Sequence, residues 1–236
     1  MSFTQSMTVP ALTTAWPPPL LSCPRLPAFS LDDWSQVVAA FQIAPPCPMG
    51  QAWHRRLDAD WRPCEVRVGW HADAMLVLAE LHDDDIFNPI DKFNDPAFQH
   101  GDVFEIFLRP ENQDVYYEFH VSPINQHFQL RIPSAAAFQS LGRSRVAGVE
   151  QWHVRETVLA SRAQVLPAEH LWRVVARVPF AVVMETEPFQ PGCRWKFSFS
   201  RYDYTRGRAK PVLSSTSPHM RLGFHRQEEW GTLTFV

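Results

Sequence analysis

Short extended segments recur along this chain with links so brief that only hairpins can join them. "CEVRVGW" (64–70) and "AMLVLAEL" (74–81) are separated by "HAD", and "DVFEIFLR" (102–109) and "VYYEFHVS" (115–122) by "PENQD". "QHFQLRI" (126–132) follows after "PIN". Later come "EQWHVRETVLA" (150–160), "HLWRVVARV" (170–178), "RWKFSFSR" (194–201) and "GTLTFV" (231–236). Links of two to five residues force antiparallel neighbours, because a parallel pair needs a long crossover. Twenty-one prolines against nine glycines work in the same direction, since proline interrupts long helices and is tolerated at strand ends and in loops. The expected fold is all-β, an antiparallel β-sandwich of jelly-roll type. One short helix is expected at "PFAVVME" (179–185), where proline suits a first helical turn.

The chain is long enough, and at 45% hydrophobic and 20% charged residues apolar enough, to bury a substantial core. Residues 1–27, with "WPPPLL", read as an extended arm, and 28–236 as one domain. A net charge of −3 argues against a nucleic-acid partner. No apolar run approaches the roughly 18 residues of a membrane span. The N-terminus has no basic region before its proline-broken apolar runs, so no signal peptide is recognisable and the cytoplasm is favoured. Cys23, Cys47, Cys64 and Cys193 have no metal or redox spacing and are expected as free, mostly buried thiols. Homo-oligomerisation is left open.

Alternation assigns faces. Phe104, Ile106 and Leu108 share one side of their strand, as do Tyr117, Phe119 and Val121 of the next, and Phe128, Leu130 and Ile132 of the third. If these apolar sets point the same way, the opposite face gathers Glu105, Arg109, Tyr116, Glu118, His120, Gln129 and Arg131. Carboxylates, guanidinium groups, an amide and a ring on one sheet suit a sugar or other polyol: hydroxyls pair with the polar groups and the C–H face with the ring. The alternative is a solvated sheet face carrying cross-strand charge pairs.

A second acidic feature is "LHDDDIFN" (81–88), three carboxylates where a strand ends. Asp83 and Asp85, with Asp91, Asp95 and carbonyls, are candidate calcium ligands, although the spacing matches no EF-hand loop. Asp84 is a candidate ligand-binding residue, and a turn-forming solvated loop is the third possibility.

The segment "GDVFEIFLRPENQDVYYEFHVSP" resembles the family 9 carbohydrate-binding modules, with D-x-x-E-x-F, a short turn and Y-Y-E-F. "LWRVVARVPF" is similar to that family's W-x-x-E-x-x-I-P-F, "WKFSFSR" to its W-x-x-N-F-x-R, and "FHRQEEWGTLTF" to its closing F-H-x-x-E-x-(F/W)-G-x-L. The resemblance runs in order over roughly 30–236. It implies a jelly-roll sandwich, non-catalytic sugar binding and structural calcium, and it singles out Arg201. Val175 stands where the family often has Glu, and Ser198 where it often has Asn.

Two other readings remain. An interaction or scaffold domain keeps the fold without a sugar site. A haem-binding sandwich needs a Met/His pair, for which Met75, or His219 with Met220, is available. Catalysis has little support: G-x-S-x-G, H-E-x-x-H and P-loop motifs are absent. Glu105 and Glu118 would do glycosidase work only if about 5 to 9 Å apart.

Overall fold

The computed structural model describes residues 17–142 and 145–236. Most of the arm proposed for 1–27, residues 1–16, lies outside the described residues. The remainder contributes β1 (Leu20–Cys23), which pairs parallel to the C-terminal strand β12 (Gly231–Phe235). Two backbone hydrogen bonds extend this docking: the Arg25 N–H donates to the Val236 carbonyl at 3.1 Å and the Leu26 N–H to that of Trp70 at 2.7 Å.

Two sheets face each other. The larger runs β1–β12–β10–β5–β6–β7, built with β5 (Val103–Pro110), β6 (Tyr116–Val121), β7 (His127–Ile132) and β10 (Arg194–Asp203). β11 (Val212–Ser215) pairs with the C-terminal half of β10, where β12 has ended. The second sheet runs β2–β3–β4–β9–β8: β2 (Cys47–Pro48), β3 (Cys64–His71), β4 (Ala74–His82), β8 (Ala160–Leu166) and β9 (Leu171–Pro179). The sandwich expected from the strand series is present.

The sandwich core is the set of residues that alternation turns inward. Phe104, Ile106 and Leu108 of β5, Tyr117, Phe119 and Val121 of β6, and Trp195, Phe197 and Phe199 of β10 meet Val66, Val68, Met75, Val77, Trp172 and Val174 of the other sheet. All four cysteines are free, three of them buried. Each outer face carries a further apolar layer. Helix α1 (Trp34–Ala40), capped by Asp33, and the turn after it lay Val37 and Phe41 over Leu76, Leu78 and Val175. On the larger sheet, residues 134–142, 145–153 and 217–230 bring Phe138, Val149, Phe224 and Trp230 over Phe107, Tyr116, Phe128, Leu130 and Ile132.

Several expectations are corrected. The strand expected over 150–160 is a 3-10 turn at Val149–Trp152 followed by a loop, and the strand begins at Ala160. The expected helix shrinks to α4 (Phe180–Val183), and α1, α2 (Ala135–Ser140) and α3 (Arg145–Gly148) join it. Among the described residues no helix is long and apolar enough to cross a membrane.

The third strand is out of phase with the other two. Tyr117 pairs with Arg131 and Phe119 with Gln129, and paired residues project to the same face. Gln129 and Arg131 therefore lie on the inward side, opposite to Glu105 and Glu118, while Phe128 and Leu130 lie outward. At this edge the outer layer, not the space between the sheets, supplies the apolar surroundings, so the greasy side of β7 faces out.

Candidate functional site

The outer layer on the larger sheet leaves a cavity of about 220 Å³. Its walls are largely aromatic: Phe98, Phe107, Phe128, Phe138, Tyr202 and Phe224. Glu105, Glu118 and His225 also line it. The volume is below the ~300–1,000 Å³ of a site for a drug-sized ligand, so it suits one ring. Strand parity places the floor. Glu105 pairs with His120 across β5 and β6, Ser200 lies opposite Glu105 on β10, and Tyr202 follows two residues later on the same face. The rim comes from the loop before β12, where Gly223, at φ +150, adopts a backbone that side-chain-bearing residues rarely take between Leu222 and Phe224.

The floor holds a buried acid–imidazole cluster. Glu105, Glu118 and His120 are 3%, 5% and 1% exposed. His120 Nε2 lies 2.6 Å from Glu118 Oε1 and 3.2 Å from Glu105 Oε1. His225 Nε2 approaches the other Glu118 oxygen at 3.6 Å, and His225 Nδ1 is 2.9 Å from the Tyr116 hydroxyl. The Phe138 ring stacks on His225 with centroids 3.5 Å apart. One oxygen of each glutamate, Oε2, is buried without a hydrogen-bond partner, as is His120 Nδ1.

The two carboxyls titrate apart. Burial, and then the charge of Glu118, hold the Glu105 carboxyl well above the usual range. Burial pushes Glu118 the same way, but the imidazoles of His225 and His120 outweigh it and bring Glu118 below its ordinary value. The two carboxyls are thus driven in opposite directions, Glu105 toward its protonated form and Glu118 toward its charged form. Donor atoms of Glu105, Glu118 and His120 lie within 4.8 Å of one another, a spacing a metal ion would tolerate. The protonation pattern does not favour one. Nε2 faces two carboxylate oxygens and so carries the imidazole proton, and Nδ1 has no acceptor to hold a proton displaced to it. Nor do the carboxylates flank a gap for a glycosidic bond; both meet one imidazole N–H.

The sequence-derived site residues divide. Glu105 and Glu118 line the cavity, and Tyr116 reaches its wall through His225. Arg109 shares their face but donates to the Gln113 carbonyl at 2.9 Å. Gln129 and Arg131 lie on the other face. The Gln129 side-chain oxygen accepts from the Val158 and Leu159 N–H groups, pinning the segment before β8. Arg131 forms a fork with Glu185, at 2.7 and 2.6 Å.

Arg201 and the tri-aspartate belong to a separate network. Arg201 lies inward on β10, 1% exposed, with Nη2 3.0 Å from both Asp83 Oδ2 and Asp203 Oδ2. Asp102 stands beside them and accepts the N–H groups of Phe87 at 2.6 Å and Tyr204 at 2.7 Å. Burial, then neighbouring charge, push Asp102 up to about 8, and burial pushes Asp203 up to about 7 despite Arg201. The expected Asp83–Asp85 calcium pair is not formed. Asp83 turns to Arg201, accepting the Asp85 N–H with its other oxygen, and Asp85 pairs with Arg206. The guanidinium fills the place of a cation. Asp84 pairs with Arg62 at 2.5 Å and His170 at 3.2 Å, away from the cavity lining.

The haem pair is not assembled either. Met75 is buried between the sheets, His219 Nδ1 lies 2.9 Å from Glu229 in the outer layer, and Met220 is exposed. Val175 is core beneath α1, so the absence of Glu there takes nothing from the cavity. Ser198 is buried and bonded to Ser215 and Ser217. Phe98, Phe138 and Leu222 come from segments without alternation and carried no sequence signal. Phe224 and His225 were present in the closing F-H motif, unassigned.

The fold is that of the family 9 carbohydrate-binding modules. Among solved structures, the chain is similar to a protein of Bacteroides uniformis ATCC 8492 proposed to bind carbohydrate, at TM-score 0.65 and 16% identity over 92% of this chain and 99% of that one. It is also similar to a family 9 carbohydrate-binding module of Caldicellulosiruptor kristjanssonii solved with cellotriose, at TM-score 0.59 and 14% identity over 92% and 93% of the two chains. A module from the same organism solved with glucose gives TM-score 0.59 and 13% identity over 92% and 96%. No family model matches the sequence, and no curated protein matches it.

Proposed function

We propose that this chain binds carbohydrate without catalysis, taking one saccharide ring, or the end ring of a sugar chain, into the outer-face cavity. The observation that carries the reading is the pair of buried carboxyls, each with an oxygen that accepts no hydrogen bond, on the floor of an aromatic-walled cavity sized for one ring. Hydroxyl groups donate to Glu105 and Glu118, and the apolar C–H face lies against Phe138, Phe224 or Tyr202. The likeness to modules solved with glucose and cellotriose supports it. Arg109, Gln129, Arg131, Arg201 and Asp84 take structural roles in this reading.

Calorimetry with glucose, cellotriose and a wider sugar panel tests it. Glu118→Gln, which replaces a charged acceptor, should weaken binding by about tenfold or more. Binding that is unchanged by that substitution, or no binding across the panel, contradicts it.

A further inference from the structure

We propose that the outer-face cavity selects a ligand bearing a protonated amine, an amino sugar among carbohydrates, over a neutral ligand of the same shape. The inference deepens the sugar-binding reading and, in its amino-sugar form, rests on it. The first observation is the charge of the lining: among the described residues it carries two glutamates and the imidazole of His225, and no lysine or arginine. Of the arginines flanking this face, Arg109 donates to the Gln113 carbonyl and Arg226 pairs with Glu229. An anionic ligand would meet the charge of Glu118 with no lysine or arginine among the described lining residues to offset it.

The second observation is hydrogen-bond capacity. Glu105 Oε2 and Glu118 Oε2 are buried and accept no hydrogen bond, with His225 Nε2 3.6 Å from the latter. A hydroxyl brings one donor to these two oxygens, whereas an ammonium brings three. Buried charge needs a partner, and the imidazole between the glutamates satisfies only their other oxygens. The third is the wall: six aromatic side chains, whose ring faces attract a desolvated cation.

Binding an ammonium would bring both glutamates into their charged forms. Glu105 faces Glu118 and His120 on β6, Tyr202 on β10 and His225 in the loop before β12, and burial and the Glu118 charge hold its carboxyl above the ordinary range. An adjacent ammonium favours the charged form, so binding releases protons wherever Glu105 is protonated in the free protein.

Calorimetry on the full chain compares glucose, glucosamine and N-acetylglucosamine, at a pH where the amine is charged and in two buffers of different ionisation enthalpy. Cyclohexylamine and cyclohexanol form a sugar-free pair. Glucosamine should bind about tenfold or more tighter than glucose, with buffer-dependent enthalpy showing proton release. N-acetylation should abolish the gain, and Glu118→Gln should reduce it. Glucose binding as tightly as glucosamine overturns the amine preference and leaves the sugar reading standing. Cyclohexylamine binding over cyclohexanol while all three sugars fail keeps the preference and removes the sugar. No binding in either set overturns both, and zinc that binds more tightly than any amine and is lost in His120→Ala overturns the preference.

Discussion

His120 stands two residues beyond Glu118 on β6, and its Nε2 lies 2.6 Å from the Glu118 carboxylate. One N–H thus holds an ionised carboxylate and, 3.2 Å away, touches the second carboxyl, Glu105. The cluster is buried under aromatic rings, so each protonation state is coupled to folding.

Glu105→Gln and Glu118→Gln should diverge. Glu105 is raised in the folded protein, so its contribution is full below its unfolded pKa and is lost as pH rises through the folded value. An amide mimics its protonated form, so Glu105→Gln should be more stabilising at pH 9 than at pH 6. Glu118 is lowered, so its contribution is present above the unfolded pKa and is lost as pH falls through the folded value. Glu118→Gln should destabilise at both. Urea denaturation at the two pH values checks this.

Asp102 and Asp203, pushed up to about 8 and about 7, add to the same trend. Protons bind them more readily in the folded chain, so stability should fall as pH rises from about 4 to about 8. Asp203→Asn should flatten the slope measured in denaturant titrations.

Arg201→Met should cost about 3–5 kcal/mol, because it leaves buried carboxylates without their cation. Millimolar calcium should not raise the thermal midpoint of the wild-type protein, since the guanidinium already sits among Asp83, Asp102 and Asp203. A calcium-dependent rise in the midpoint would contradict this account of the cluster.

The inward residues of β7 should report on stability and not on binding. Gln129→Ala orphans the Val158 and Leu159 N–H groups and should cost about 1–3 kcal/mol for each. Arg131→Ala removes a partly exposed pair and should cost about 1 kcal/mol or less. Sugar affinity should be unchanged in both, by calorimetry on the folded variants.

The strands that carry Glu105 and Glu118 were legible because β5 and β6 alternate cleanly. That alternation placed Glu105 and Glu118 on one face with Tyr116. It misplaced Gln129 and Arg131 because a period of two fixes only relative parity within a strand. Which side of β7 faces the sandwich depends on residues 134–142, 145–153 and 217–230, which supply apolar cover from outside and have no period to read. The same segments supply Phe138 and Phe224, so the walls were invisible where the floor was not. Arg201 and Asp83 stood out in sequence as ligand and metal candidates; 118 residues separate them, and no local pattern announces that they neutralise each other.

The most direct measurement is NMR mapping of a bound sugar, with glucosamine titrated into isotope-labelled full-length protein and side-chain carboxyl and aromatic signals followed. The account predicts saturable shifts at Glu105, Glu118, Phe138, Tyr202 and Phe224. Shifts confined to Gln129, Arg131 or Asp84, with the cavity signals unmoved, would contradict it.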